Sequence, residues 1–213
     1  MISIGITGGI GSGKTTVCRL FETMGTPVYY ADDRAKQIMT DDPALVDQLK
    51  SAFGADIYDG DGHLRRSVLA DRVFHNPEAL TRLNQLVHPA VFRDTAHWME
   101  RHREFPYTLR EAALLFESGS YKLVNEVVIV WAPEALRLQR AMTRDGLTEA
   151  DVRARMERQW SDEQKRALSQ HVILNDGEHL LIPQVIALHE RWTEQVAGPA
   201  RSGETEDSNT PLH

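Results

Sequence analysis

Eight residues near the start of the chain, Gly8-Gly9-Ile10-Gly11-Ser12-Gly13-Lys14-Thr15, constrain its fold more than any other stretch. They match G-x-x-x-x-G-K-[ST], a loop whose fixed positions each have a physical task. The glycines let the backbone take positive φ and bring its N–H groups close to phosphate oxygens. Lys14 is placed to reach the β- and γ-phosphates of a nucleotide triphosphate, and Thr15 to put its hydroxyl on Mg²⁺. A helix opening directly after the loop points its positive end at the anion. Such a loop has to lie between a strand and a helix, and both are readable here. Ile2 to Ile6 is short, β-branched and followed by glycines, which predicts a buried strand. Val17, Leu20, Phe21 and Met24 then recur at helical spacing, which predicts a helix from about Lys14 to Met24 stopped by Gly25. Pro27 to Ala31 predicts a second strand beside the first, ending at Asp32-Asp33 and completing a right-handed βαβ unit.

Further along, residues 41–103 show helical patterns with start signals at Asp42-Pro43 and Asn76-Pro77 and no convincing strand. This stretch reads as a helical insertion. Strands return at about Tyr107 to Phe116, Glu126 to Ala132 and His171 to Asn175, and a final amphipathic helix carries Leu181, Val185, Leu188 and Trp192. Alternation of strands and helices implies an α/β fold: a parallel five-stranded sheet flanked by helices, of the P-loop nucleotide-binding type. Residues 1–197 form one domain on this reading, with core segments 1–40, 104–136 and 169–197. The charged helical stretch 137–168 has capping candidates at Thr148 and Ser161 and is expected to be a mobile lid. Residues 198–213 lack apolar periodicity and are expected to be a disordered tail.

Composition narrows the function. The 213 residues carry a formal net charge of −7, which lacks the broad basic field of a nucleic-acid binder, so any phosphate site is local. The one cysteine, Cys18, cannot form an internal disulfide, and neither a signal segment nor a membrane helix is apparent, so a cytoplasmic setting is expected. Cys18 itself reads as a packed thiol.

Four further groups bear on function. Asp32 follows the second strand, where ligands bind in open α/β sheets. A carboxylate there either takes the proton of an attacking hydroxyl and helps hold Mg²⁺, or caps the next helix; Asp33 is assigned the cap. Arg137, Arg140 and Arg144 share one helix face, which either closes over phosphates or is simply solvated. Asp59-Gly60-Asp61-Gly62 contains D-x-x-G, but no N-K-x-D guanine reader accompanies it, so a polar turn is expected. His88-Pro89 reads as a turn. The pieces point to a small-molecule kinase; a kinase of a nucleoside monophosphate and a nucleotide-dependent switch remain alternatives.

Several separate motifs resemble the dephospho-coenzyme A kinase family, over nearly the whole chain to about residue 196. They are Gly5 to Thr16, Ala31-Asp32, Arg66, Val73-Phe74, Leu83-Asn84, His88-Pro89, Leu114-Leu115-Phe116-Glu117, Gln139-Arg140, Arg144-Asp145-Gly146, Gln159, Lys165 and Asn175-Asp176-Gly177. The resemblance implies transfer of the ATP γ-phosphate to the ribose 3′-hydroxyl of dephospho-coenzyme A, giving coenzyme A and ADP. It implies Asp32, Lys14 and Arg140 as catalytic groups. Gly11, Ser12, Gly13, Lys14, Thr15, Thr16, Arg144 and Asn175 would hold the nucleotide, and Thr15 with Asp32 the Mg²⁺. Asp32, Arg66, His88, Leu114 and Glu117 would bind the acceptor, with 41–103 as the coenzyme A lobe. The sequence departs from the family pattern at Tyr30, Arg65, Ala113 and Leu174, positions that bear on substrate contacts.

Overall fold

The computed structural model describes residues 1–74 and 76–197. The expected tail, 198–213, lies outside them. Five strands form one parallel sheet: β1 (Ile2–Thr7), β2 (Val28–Tyr30), β3 (Tyr107–Glu111), β4 (Glu126–Trp131) and β5 (His171–Leu174), in spatial order β2-β3-β1-β4-β5. The second strand is therefore not beside the first, because β3 inserts between them, with Ile6 and Tyr30 both in register with Glu111. Residues on both faces of β1 and β4 are buried, which is why they read as continuous apolar runs.

Helix α1 (Lys14–Thr23) and α9 (Leu181–Ala197) cover one face, and Phe21, Tyr107 and Trp192 pack together beneath them. Gly25, at φ 83°, follows α1 as the predicted stop. The chain then leaves the sheet for α2 (Ala31–Asp41), α3 (Pro43–Phe53), α4 (Arg66–Phe74) and α5 (Pro77–Arg101). These helices bury a core of their own, including Ile38, Leu45, Leu49, Leu69, Val73 and Val87. Asp42 and Asn76 accept from the first N–H groups of α3 and α5, with proline at the first helical position of each, as their sequences predict. Asp94 of α5 ties this layer to the sheet, accepting from Tyr29 at 2.8 Å and from two nitrogens of Arg34 at 2.6 and 3.0 Å.

Asp59 to Gly62 is the expected turn, with Asp59 accepting from the backbone N–H groups of Asp61 and His63. His88-Pro89 is not a turn. It lies inside α5, where Pro89 cannot donate to the preceding turn yet the 25-residue helix continues through it. After β4 come α6 (Glu134–Asp145), α7 (Glu149–Met156) and α8 (Asp162–Ala167). Thr148 with Asp151 and Ser161 with Gln164 form reciprocal capping boxes at α7 and α8. No helix among the described residues is long and apolar enough to cross a membrane.

Candidate active site

The loop between β1 and α1 takes its shape from its glycines. Gly11 and Gly13 stand at φ 76° and 95°, and a side chain at Gly11 would run into the backbone of Arg137. Lys14 folds over the loop and donates to Gly8 O at 3.1 Å. Gly11, Gly13, Lys14, Thr15 and Thr16 line a cavity of about 670 Å³, closed on its far side by Gln139, Arg140 and Arg144 of α6. Arg137 shares that helix but not that role. It is buried, donates to Ala132 O at 3.0 Å and pairs with Asp162 at 3.0 Å, which fixes α6 and α8 against the loop.

A second cavity, of about 740 Å³, lies between α2, α5 and the loop after β3. Asp32, His88, Arg110 and Leu114 are on its wall. Asp32 is in the first turn of α2 rather than at a strand end, and its Oδ2 accepts from Ala113 N at 3.2 Å. Asp33 makes no cap: the helix begins one turn earlier than expected, and Asp33 pairs with Lys36 at 2.7 Å instead.

The two cavities meet at a charged cluster. Burial lowers the Lys14 pKa, while the nearby Glu111 and Asp32 oppose the shift. Glu111 ends β3 with only 8% of its surface exposed, and burial pushes its pKa up to about 7; Asp32 and Asp33 push the same way and Lys14 opposes them. The buried Cys18 thiol is also pushed up by burial, which keeps it a neutral packing group.

One side chain bridges both sides. Gln159, between α7 and α8, accepts from Ile10 N at 2.9 Å and donates to Ala113 O at 3.1 Å. The peptide unit that gives its N–H to Asp32 thus sits one residue's carbonyl away from a contact to the phosphate loop.

A family model described as dephospho-CoA kinase matches residues 2–180. The chain belongs to the dephospho-CoA kinase family. Its relatives include the dephospho-CoA kinases of Porphyromonas gingivalis, 41% identical over 194 residues covering 89% of this chain and 94% of that one, and of Salinibacter ruber, 43% identical over 179 residues covering 83% and 90%. A solved structure, TT1252 from Thermus thermophilus, superposes with a TM-score of 0.80 at 35% identity, covering 89% of this chain and 96% of that one. Dephospho-CoA kinase from Campylobacter jejuni, 24% identical with a TM-score of 0.68, covers 90% and 96% and shares the fold. The chain is therefore a kinase that catalyses the last step of coenzyme A biosynthesis.

Of the residues that a dephospho-CoA kinase reading singles out, Gly11, Gly13, Lys14, Thr15, Thr16, Arg140 and Arg144 come together in the first cavity, and Asp32, His88 and Leu114 in the second. Four others lie elsewhere. Asn175 braces the loop from behind, donating to Ser12 O at 2.8 Å and accepting from Arg140 at 2.9 Å. Ser12 is buried, with its hydroxyl unpartnered. Glu117 accepts from Trp160 N at 2.7 Å and faces the fully buried Lys165 at 3.4 Å, so it anchors the segment before α8 and does not line the second cavity. Arg66 is exposed at the start of α4 and lines neither cavity. The site residues missed from sequence are Glu111 and Arg110; Gln159 is among the motifs that carry the family resemblance, but its bridging role is read only from the structure. Two adjacent charged residues on an inner strand, all of whose residues are buried, were the available signal for the first two.

Proposed function

We propose that the two cavities hold the two substrates, with ATP on the phosphate loop and dephospho-coenzyme A between α2 and α5. On this reading residues 41–103 form the acceptor lobe, 137–168 a lid, and 1–40, 104–136 and 169–197 the core of a single domain. The observation that carries it is the position of Asp32, on the acceptor wall and within electrostatic reach of Lys14 on the donor side. Asp32 then orients the ribose 3′-hydroxyl and takes its proton as the oxygen attacks the γ-phosphorus. Lys14 and the loop N–H groups neutralise the charge that spreads over the transferring phosphoryl oxygens, and Arg140 with Arg144 cover the donor.

Mg²⁺ fits the donor set. The Thr15 hydroxyl and the Asp32 and Glu111 carboxylates are hard oxygen ligands, and a buried carboxyl whose pKa is pushed up to about 7 is one that a divalent cation would return to its anionic form. Bound with ATP, Mg²⁺ would supply neutralisation of phosphate charge. The buried free thiol suits the reducing cytoplasm, where we place the enzyme, and the −7 charge gives no reason to invoke a nucleic-acid partner.

The test is ADP release from Mg²⁺-ATP with dephospho-coenzyme A, AMP, CMP or no acceptor, with mass spectrometry of the products. Dephospho-coenzyme A alone gains one phosphate, and Asp32→Asn lowers kcat by about 10²- to 10⁴-fold at an unchanged melting temperature. Near-normal turnover in Asp32→Asn would refute the base assignment.

A further inference from the structure

The wall of this cavity carries a cation that no carboxylate among the described residues pairs with. Arg110, on β3, is 8% exposed and lines the cavity wall. Its Nε is buried without a hydrogen-bond partner, and the ion pairs of the described residues leave it out. Burial lowers its pKa, with the Tyr29 hydroxyl the opposing neighbour, but a guanidinium keeps its proton in proteins. Arg93, which pairs loosely with Asp42 at 3.4 Å, and the exposed Lys122 stand on the same wall, and Asp32 is the one carboxylate among the lining residues. Burying an unpaired charge is costly, so a positive wall of this kind calls for an anion.

We propose that Arg110 sets acceptor specificity by pairing with the anionic 5′-diphosphate of dephospho-coenzyme A. The inference rests on the reading of this cavity as the acceptor site. With the ribose hydroxyl at Asp32, the diphosphate is the acceptor's remaining charged part, and the planar fork of a guanidinium matches two phosphate oxygens at once. The exposed apolar groups Leu114, Leu123 and Phe92 on the same wall suit the uncharged remainder of the acceptor. A neutral nucleoside would leave the guanidinium buried and unpaired, and the site discriminates against it for that reason.

The test compares Arg110→Met and Arg110→Lys with the wild-type enzyme. Arg110→Met weakens dephospho-coenzyme A binding, read by titration calorimetry, by about 10- to 100-fold. Arg110→Lys recovers part of the loss, and the KM for ATP stays within about twofold. The melting temperature of ligand-free Arg110→Met is equal to or higher than wild type, because an unpaired buried charge has gone; an arginine that only packs would lower it and leave acceptor affinity alone. AMP outcompetes adenosine against dephospho-coenzyme A on the wild type, and loses that advantage on Arg110→Met.

Acceptor affinity within twofold of wild type in Arg110→Met, or a surviving advantage of AMP, overturns the assignment. Equal competition by AMP and adenosine on the wild type overturns it too, and that arm needs no variant to fold. Leu114→Glu, on the exposed part of the wall, separates this failure from failure of the cavity reading. If it also leaves acceptor affinity unchanged, the acceptor binds elsewhere; if it abolishes binding while Arg110→Met is silent, only the arginine's role falls.

Discussion

The donor and acceptor cavities face one another across Lys14 and Asp32, yet they are made of different material. The donor side is founded on backbone, with side chains of α6 across from it: glycines in left-handed conformation, N–H groups at the start of α1, and a loop so tightly overlaid by Arg137 that no side chain fits at Gly11. The acceptor side is made of side chains carried on helices that hold their own apolar core. A backbone-built site tolerates almost no substitution, because its geometry is the binding surface. A site built from side chains can change a residue while keeping its shape, so single substitutions there can alter binding without disturbing the fold.

This contrast can be broken by mutation. The largest effect is expected at Gly11→Ala, which meets both an unfavourable φ and the Arg137 backbone. It should destabilise the protein by on the order of 2 kcal/mol in chemical denaturation and lower kcat/KM by on the order of a hundredfold or more. A near-native Gly11→Ala enzyme would show that the loop is more plastic than its packing implies. Gln159→Leu comes next, because it cuts the link between Ile10 and Ala113. Turnover should fall by about ten- to a hundredfold with KM for each substrate less affected, as expected for a group that positions others.

Glu111→Gln sharpens the comparison through pH. The Glu111 carboxyl is raised from 4.5 to about 7 by burial, so the folded protein holds its proton more tightly than the unfolded chain does. That contribution is complete below pH ~4.5 and disappears as pH rises through about 7, a loss on the order of 3 kcal/mol. In metal-free protein, Glu111→Gln should therefore gain stability relative to wild type between pH 5 and pH 8, read from paired thermal melts. Parallel curves would place Glu111 in a wetter environment than its 8% exposure indicates. The smallest effect belongs to Asn76→Ala on the acceptor side. Loss of its two cap hydrogen bonds should cost about 1 kcal/mol in urea unfolding and leave the KM for ATP unchanged.

Legibility in the sequence follows the same division. The phosphate loop, α1 with its glycine stop, the caps at Asp42, Asn76, Thr148 and Ser161, and the parallel five-stranded sheet were all readable, because each depends on local backbone chemistry. Strand order was not. Nothing local distinguishes β3 beside β1 from β2 beside β1. The start of α2 at Ala31, directly after β2, was also not read, and it puts Asp32 in a helix turn rather than at a strand end. Arg137, Arg140 and Arg144 have equal claims on a helical wheel, and only the packing of α8 takes Arg137 away through Asp162. Glu117 was named as an acceptor contact through the family resemblance, and its actual partners, Trp160 and Lys165, lie more than forty residues along the chain where no local pattern shows them. Pro89 suggested a chain reversal, but burial of Val87 and Ala90 on either side of it keeps the helix intact.

The place of β3 between β1 and β2 also bears on how the chain reaches its native state. Ile2 pairs with Tyr107, and Ile4 with Leu109, so the sheet's central ladder joins segments separated by the whole helical insertion. Closing so long a loop costs entropy before any strand hydrogen bond rewards it, and such high-contact-order pairing is slow. Helices α2 to α5 gather mostly through contacts close in sequence and shorten the distance the chain must search. The lobe next to the acceptor cavity thus has an earlier duty than catalysis: its collapse brings the two central strands within reach of each other.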